Sequence, residues 1–224
     1  MNDDSMAPLR DQGWLQLRDV DRAEFDELAR SLGCVFYTAD IRLEPGSNQY
    51  AYRPQRFPLH MDAADAEFVC WYVVDSDRGQ CPLLVADTRA YLEQLPQSTR
   101  KILASITITY QEVRARGLGS VPLLQQHASG HWFANYFPTD YRRIVPRSPA
   151  EADVLASFER DLAELPKQSI TLRDRDAIIL DNRRMMHGRG PMSPESSRHL
   201  LRHWVNCDHK YDGLEAALHD EARA

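Results

Sequence analysis

The chain has no excess of positive charge. Its 27 Lys and Arg are outnumbered by 33 Asp and Glu, giving a net charge of −6, so nothing electrostatic draws it to nucleic acid or to an anionic membrane. No apolar run approaches the roughly 20 residues that span a bilayer. The N-terminus, Met1-Asn2-Asp3-Asp4, is acidic and lacks the basic and apolar regions of a signal peptide. Cysteine is scarce, and Cys34, Cys70, Cys81 and Cys207 form no C-x-x-C or paired pattern. That speaks against a disulfide framework and for reduced thiols, some of them in the core. These absences lead to the expectation of a cytoplasmic protein without a nucleic-acid or membrane partner. Internal repeats and linkers are also missing. With 224 residues, 43% of them hydrophobic, one well-buried domain over residues 1–224 is expected.

What is present reads as short strands with few helices. Residues 1–12 are polar and expected to fray. Trp14–Leu17 alternates as a first strand. Phe25, Leu28, Ala29 and Leu32 recur at helical spacing, which predicts a helix over 22–32, capped by Asp19 or Asp21 and stopped by Gly33. Strands are predicted at 34–37, 41–43, 68–74, 83–86, 106–113, 131–137, 141–145, 167–172 and 177–180. Turns or loops are expected at 45–48 and 114–122. Helices are predicted at 88–95 after Asp87, at 98–104, at 149–165 behind Ser148 with proline first, and at 212–221. Periodicity alone gives a strand-rich α+β protein.

Two stretches carry the chemistry. In Phe57-Pro58-Leu59-His60-Met61-Asp62, extended backbone points His60 and Asp62 the same way. Near the C-terminus, Ile178-Ile179-Leu180 reads as a buried strand and Asp181-Asn182 as a turn. His187-Gly188 and a loop follow, and then a strand carries Arg198 and Arg202. On that strand Arg198, Leu200, Arg202 and Trp204 share one face, and His199, Leu201 and His203 share the other. Two guanidinium groups beside Leu200 and Trp204 need an anion, because an unpaired buried charge is costly. A bound carboxylate fits the arginine fork. Two imidazoles and one carboxylate, from His60, Asp62 and His187, make the facial set that holds non-haem Fe(II) with positions left open.

His60-x-Asp62, Asp181-Asn182-Arg183-Arg184-x-x-His187-Gly188-Arg189 and Arg198-x-x-x-Arg202 resemble the taurine dioxygenase (TauD/TfdA) family of Fe(II)- and 2-oxoglutarate-dependent oxygenases. The likeness is scattered from about Gly13 to Trp204 and is sharp in these blocks. It implies a double-stranded β-helix, a jelly-roll core related to cupins, with flanking helices packed on one side. It also implies Fe(II) on His60, Asp62 and His187, the cosubstrate 2-oxoglutarate anchored by Arg198, and O2. Arg202 would bind substrate or pair with a buried acid. Tyr52 and Arg53, in the polar and aromatic run leading into His60, would line the substrate side. One stretch departs from the family. Where the family has glycine-glycine-acid-threonine, with the threonine contacting 2-oxoglutarate, this chain has Gly79-Gln80-Cys81-Pro82, and proline offers neither hydroxyl nor N–H.

The activity this implies is hydroxylation of a C–H bond in a small polar metabolite, such as an amino-acid-derived or natural-product intermediate, with release of succinate and CO2. Desaturation, cyclisation or epimerisation by the same oxidant is the alternative outcome. A catalytically silent jelly-roll binding protein is the alternative of another class. The chain is short for the family, which implies a reduced lid and an open site suited to a bulky or carrier-tethered substrate. His127 and His131 stand four apart, but Ser129-Gly130 reads as a turn, so they resemble a family hairpin rather than a helical metal pair. Met185 and Met186 are expected to pack beside the metal, and Arg183, Arg184 and Arg189 to be solvated or paired with the chain's own carboxylates.

Overall fold

The structure, a computed structural model, describes residues 6–44, 46, 47, 50–109, 120–137, 144 and 146–207. Among these residues the chain runs α1 (Ala7–Gln12), β1 (Trp14–Leu17), α2 (Arg22–Leu32), β2 (Cys34–Ile41), β3 (Phe57–His60), β4 (Phe68–Asp75) and β5 (Leu83–Asp87). Next come α3 (Arg89–Gln94), α4 (Gln97–Ser105), β6 (Thr107–Ile108), β7 (Val121–Pro122), β8 (Leu124–Gln126) and β9 (Trp132–Ala134). The last elements are α5 (Pro149–Glu164), β10 (Gln168–Ile170), β11 (Ala177–Asp181), β12 (Met185–Arg189) and β13 (His199–Asn206). Of the strand expected at 106–113, only Thr107–Ile108 is strand and residues 110–113 fall outside the described residues, as do the helix at 212–221 and all but residue 144 of the strand at 141–145.

Two antiparallel sheets build the molecule, one ordered β1-β11-β4-β13-β2 and the other β10-β5-β12-β3. Their facing side chains make one core. Val69, Trp71, Val73, Ile178, Leu180 and Leu200 come from the first sheet, and Leu83, Val85, Ile170 and Met185 from the second. The alternation predicted for β13 holds, since Leu200 and Trp204 enter this core while Leu201 and His203 face outward.

The outward face of the five-stranded sheet is apolar too. Cys70, Tyr72, Ile179 and Val205 are buried there under Phe25, Leu28 and Ala29 of α2. Each large side chain so buried stabilises by about 1.5–3 kcal/mol. The other helices cover the opposite side. Leu92, Leu103, Leu155, Phe158 and Leu162 pack with Leu59, Ala86 and Met186 of the four-stranded sheet and the loop beyond it. Helices therefore flank both sheets rather than one side, because both faces of β4 and β11 are hydrophobic.

Local chemistry explains the boundaries. Asp21 accepts the Glu24 N–H and Glu24 returns a bond to the Asp21 N–H, a complete capping box for α2. Ser148 caps α5 with proline in its first turn. Residues 6–12, expected to fray, form α1 instead. Leu9 is buried and Gly13, at φ 82°, closes the C-terminus with its N–H on the Leu9 carbonyl. Arg184 also donates to the carbonyls of Arg10 and Asp11. The expected break at 38–40 is absent, because β2 pairs with β13 along its whole length.

Candidate metal centre

His60 closes β3, and His187 lies directly opposite it in β12. Asp62 follows two residues beyond His60. The two imidazole Nε2 atoms converge on a single carboxylate oxygen, Asp62 Oδ1, at 3.6 Å from His60 and 3.7 Å from His187. The three ligand atoms lie within 4.8 Å of one another, and all three residues are buried.

The surroundings set the orientation of each ligand. His60 Nδ1 donates to the Pro58 carbonyl at 2.9 Å. Since a carbonyl only accepts, Nδ1 carries the proton and Nε2 presents a lone pair. That Nε2 is buried with no hydrogen-bond partner among the described residues, an arrangement that a metal ion satisfies. Phe57 stacks on the His60 ring at 3.9 Å, and Trp71 meets His187 edge-on at 4.8 Å. Burial, reinforced by the neighbouring His187, pulls His60 down to about 4, so the imidazole is neutral and ready to ligate.

Asp62 is held as the anion. Burial alone would raise its pKa, but the Arg202 charge and the two histidines keep it well below the usual carboxylate value. Its N–H donates to Asn182 Oδ1 at 2.9 Å, and Asn182 Nδ2 donates to the carbonyls of Ala63 and Ala66. Asn182 therefore fixes the loop that carries the carboxylate. The sequence marked it as a turn residue inside the block that carries the family resemblance and gave it no role, because nothing local says which backbone it meets. Trp204 Nε1 donates to Asp62 Oδ2 at 2.7 Å, and Arg202 Nη1 lies 3.1 Å from the same oxygen.

Arg198 stands just before β13 and is 6% exposed. It lines one cavity with His60, His187, Trp71, Leu83, Leu200 and Arg202. Its Nε is buried with no hydrogen-bond partner among the described residues. Burial, with Arg189 nearby adding like charge, pulls it down to about 10. An anion in this cavity would give that buried donor a partner. The residue turned inward at the departure from the family pattern is Cys81, 3% exposed and close enough to act on the charge of Arg198, while Pro82 is only half-buried.

The remaining candidates are spread out. Tyr52 is half-buried near Tyr37 and Arg202, and burial followed by Tyr37 raises its pKa. Arg53 donates from Nε to the Ser47 carbonyl at 2.7 Å and lines a different groove with Tyr52, Gln55 and Pro194. Arg189 is buried on the carbonyls of Gln55, Gly190 and Arg53 rather than solvated. Arg183 pairs with Glu67, and Arg184 with Asp87 at 2.6 Å. Met185 joins the core between the sheets, and Met186 the cluster beneath α3 to α5. His127 and His131 lie at the β8–β9 turn, with His131 Nδ1 2.6 Å from Glu93.

Comparison with known proteins matches this geometry to a family. The model of the family described as "Taurine catabolism dioxygenase TauD, TfdA family" fits residues 3–204. The chain belongs to the TauD/TfdA family. It is an oxidoreductase of the Fe(II)- and 2-oxoglutarate-dependent class. No curated protein matches. Among solved structures, an asparagine oxygenase in complex with Fe(II), 2S,3S-3-hydroxyasparagine and succinate has a TM-score of 0.72 at 18% identity, over 92% of this chain and 79% of that one. The non-haem iron oxygenase OrfP, with Fe and alpha-ketoglutaric acid, has a TM-score of 0.67 at 16% identity, over 92% and 78%. PvcB from Pseudomonas aeruginosa has a TM-score of 0.62 at 20% identity, over 89% and 77%. These likenesses carry the fold, a strand-rich mixed architecture of antiparallel sheets. No helix among the described residues is long and apolar enough to cross a membrane.

Proposed function

We propose that this TauD/TfdA-family chain hydroxylates a C–H bond of a small polar metabolite, with His60, Asp62 and His187 as the iron ligands. The observation that carries the reading is the convergence of His60 Nε2 and His187 Nε2 on Asp62 Oδ1, in a cavity shared with Arg198, whose Nε has no hydrogen-bond partner among the described residues. The two sheets serve as the halves of a double-stranded β-helix with the metal site between β3 and β12. Fe(II) bound there, with 2-oxoglutarate and O2, supplies the oxidant, and succinate and CO2 are released.

The chain's own residues do the rest. Arg198 takes the distal carboxylate of 2-oxoglutarate in a two-pronged salt bridge. Phe57, Trp71 and Leu200 make the cavity wall apolar and exclude water from it. The substrate enters on the side of Arg202 and Tyr52, with Arg53 at the outer groove. Hydroxylated amino acids sit in several of the similar structures, among them hydroxyasparagine, (3S)-hydroxy-L-Arg and (3R,4R)-dihydroxy-L-Arg. Free amino acids and their derivatives are therefore the first substrates to try, and carrier-tethered forms the second.

The test is an anaerobic titration with Fe(II) and then 2-oxoglutarate, followed by an aerobic screen for succinate release. A metal-to-ligand charge-transfer band that needs both additions, and then substrate-stimulated succinate, is the expected result. Absence of the band at saturating Fe(II) overturns the reading in favour of a silent binding protein.

A further inference from the structure

We propose that Arg202 and Trp204 are positioning residues that hold Asp62 to one-oxygen coordination and so keep a metal position open for 2-oxoglutarate. The inference rests on the proposed function. A carboxylate can ligate through one oxygen or through both. A metal with six positions and three single-atom protein ligands keeps three open, two for a chelating keto acid and one for O2. An Asp62 that swung to use both oxygens would leave two, and the set would no longer suffice.

The two oxygens of Asp62 meet different neighbours, with the shorter side-chain donor contacts on Oδ2. Oδ1 faces both imidazoles. Oδ2 accepts from Trp204 Nε1 at 2.7 Å and from Arg202 Nη1 at 3.1 Å, and the same Nη1 reaches Oδ1 at the longer distance of 3.3 Å. An oxygen has two lone pairs, and these donors occupy both. Neither donor is loose. Trp204 is 2% exposed and its ring stacks on Tyr37 at 4.3 Å. The Arg202 guanidinium lies 4.5 Å from the centre of the Trp204 ring and 5.9 Å from that of Tyr37. The backbone end of Asp62 is held by Asn182. The carboxylate is therefore restrained at its stem and most tightly at its outer oxygen, which leaves Oδ1, touched only by the longer Arg202 contact, turned to the two imidazoles.

Arg202 lines the cavity and Trp204 does not, and this difference makes the test decisive. Trp204→Phe removes the N–H on Asp62 Oδ2 and no residue that lines the cavity, while keeping an aromatic ring beneath Arg202, whose own part is read by the Arg202 variants. Arg202→Met and Arg202→Lys remove and keep a donor at the second site. Each protein is loaded with saturating Fe(II) without oxygen, and 2-oxoglutarate is titrated against the charge-transfer band. The wild type must first show the band, and its failure there is the failure of the proposed function itself. Given that band, Trp204→Phe and Arg202→Met are expected to bind Fe(II) and to need about ten-fold more 2-oxoglutarate, with Arg202→Lys closer to wild type. Unchanged half-saturation in Trp204→Phe overturns the proposal, as does a loss confined to Fe(II) affinity. If Arg202→Met does not fold, Trp204→Phe and Arg202→Lys decide the matter alone.

Discussion

His187 stands directly across the β12–β3 ladder from His60, their ring centroids 4.2 Å apart. Strand pairing, not loop placement, brings the two imidazoles together, and Asp62 completes the set from the residue pair that follows β3. His60→Ala, Asp62→Ala and His187→Ala should each lower Fe(II) affinity by at least about a hundred-fold, more than loss of an outer partner costs. Each should leave the far-ultraviolet dichroism of the wild type. Dialysis against Fe(II) measures the first and a spectrum the second. Near-wild-type metal binding by any of the three would remove that residue from the ligand set.

Arg198 has no ion-pair partner among the described residues, and in the proposed function the distal carboxylate of 2-oxoglutarate is its anion. Removing one side of a buried, hydrogen-bonded charge pair costs about 2–5 kcal/mol. Arg198→Ala should therefore raise the half-saturation for 2-oxoglutarate by roughly thirty-fold or more, while Fe(II) binding is unchanged. Anaerobic titration at saturating Fe(II) reads both. Equal half-saturation in variant and wild type would place the distal carboxylate elsewhere, with Cys81 and Arg189 the neighbours to examine.

Much of this was legible in residue order, and the rest was decided by distant contacts. The capping box of α2 and the proline at the start of α5 are local chemistry, so both helices followed from a few neighbouring residues. The alternation of β13 correctly set two arginines on the core face and demanded anions for them. It did not say whose. For Arg202 the anion is Asp62 of the same chain, 140 positions away, and no spacing rule reaches that far. β12 was hidden for the same kind of reason. Met185-Met186-His187-Gly188-Arg189 lacks an alternating pattern because all five residues are buried between β5 and β3.

Acid should destabilise the metal-free protein before it touches most carboxylates. Burial lowers His60 to about 4 in the fold, against about 6.5 in an unfolded chain. A depressed pKa means the unfolded chain binds the proton first. The stabilisation is fully present above about pH 6.5 and is lost as pH falls through about 4, to a total of about 3 kcal/mol. Urea unfolding of metal-free protein between about pH 7 and pH 4 measures it, and His60→Gln should flatten the slope. A wild-type profile level down to about pH 5 would show that the buried imidazole accepts its proton in place.

Gly188 sits between His187 and Arg189 where β12 comes closest to β3. A Cβ there would lie 2.6 Å from the Phe57 carbonyl oxygen and 2.9 Å from the carbonyl carbon and oxygen of Pro58. These are backbone atoms and cannot rotate aside, so an alanine must push the strands apart beside His60 and His187, the proposed metal ligands. Overpacking of this kind costs about 1–3 kcal/mol. The displacement also separates His187 from His60, so Gly188→Ala should lose at least about ten-fold in Fe(II) affinity. Gly190→Ala is the control, two residues along the same chain, because its Cβ would meet nothing within 4 Å. Urea unfolding and Fe(II) titration of the two variants side by side make the comparison. If Gly188→Ala matches Gly190→Ala in both, the close approach of β12 to β3 is not what holds the histidines in register.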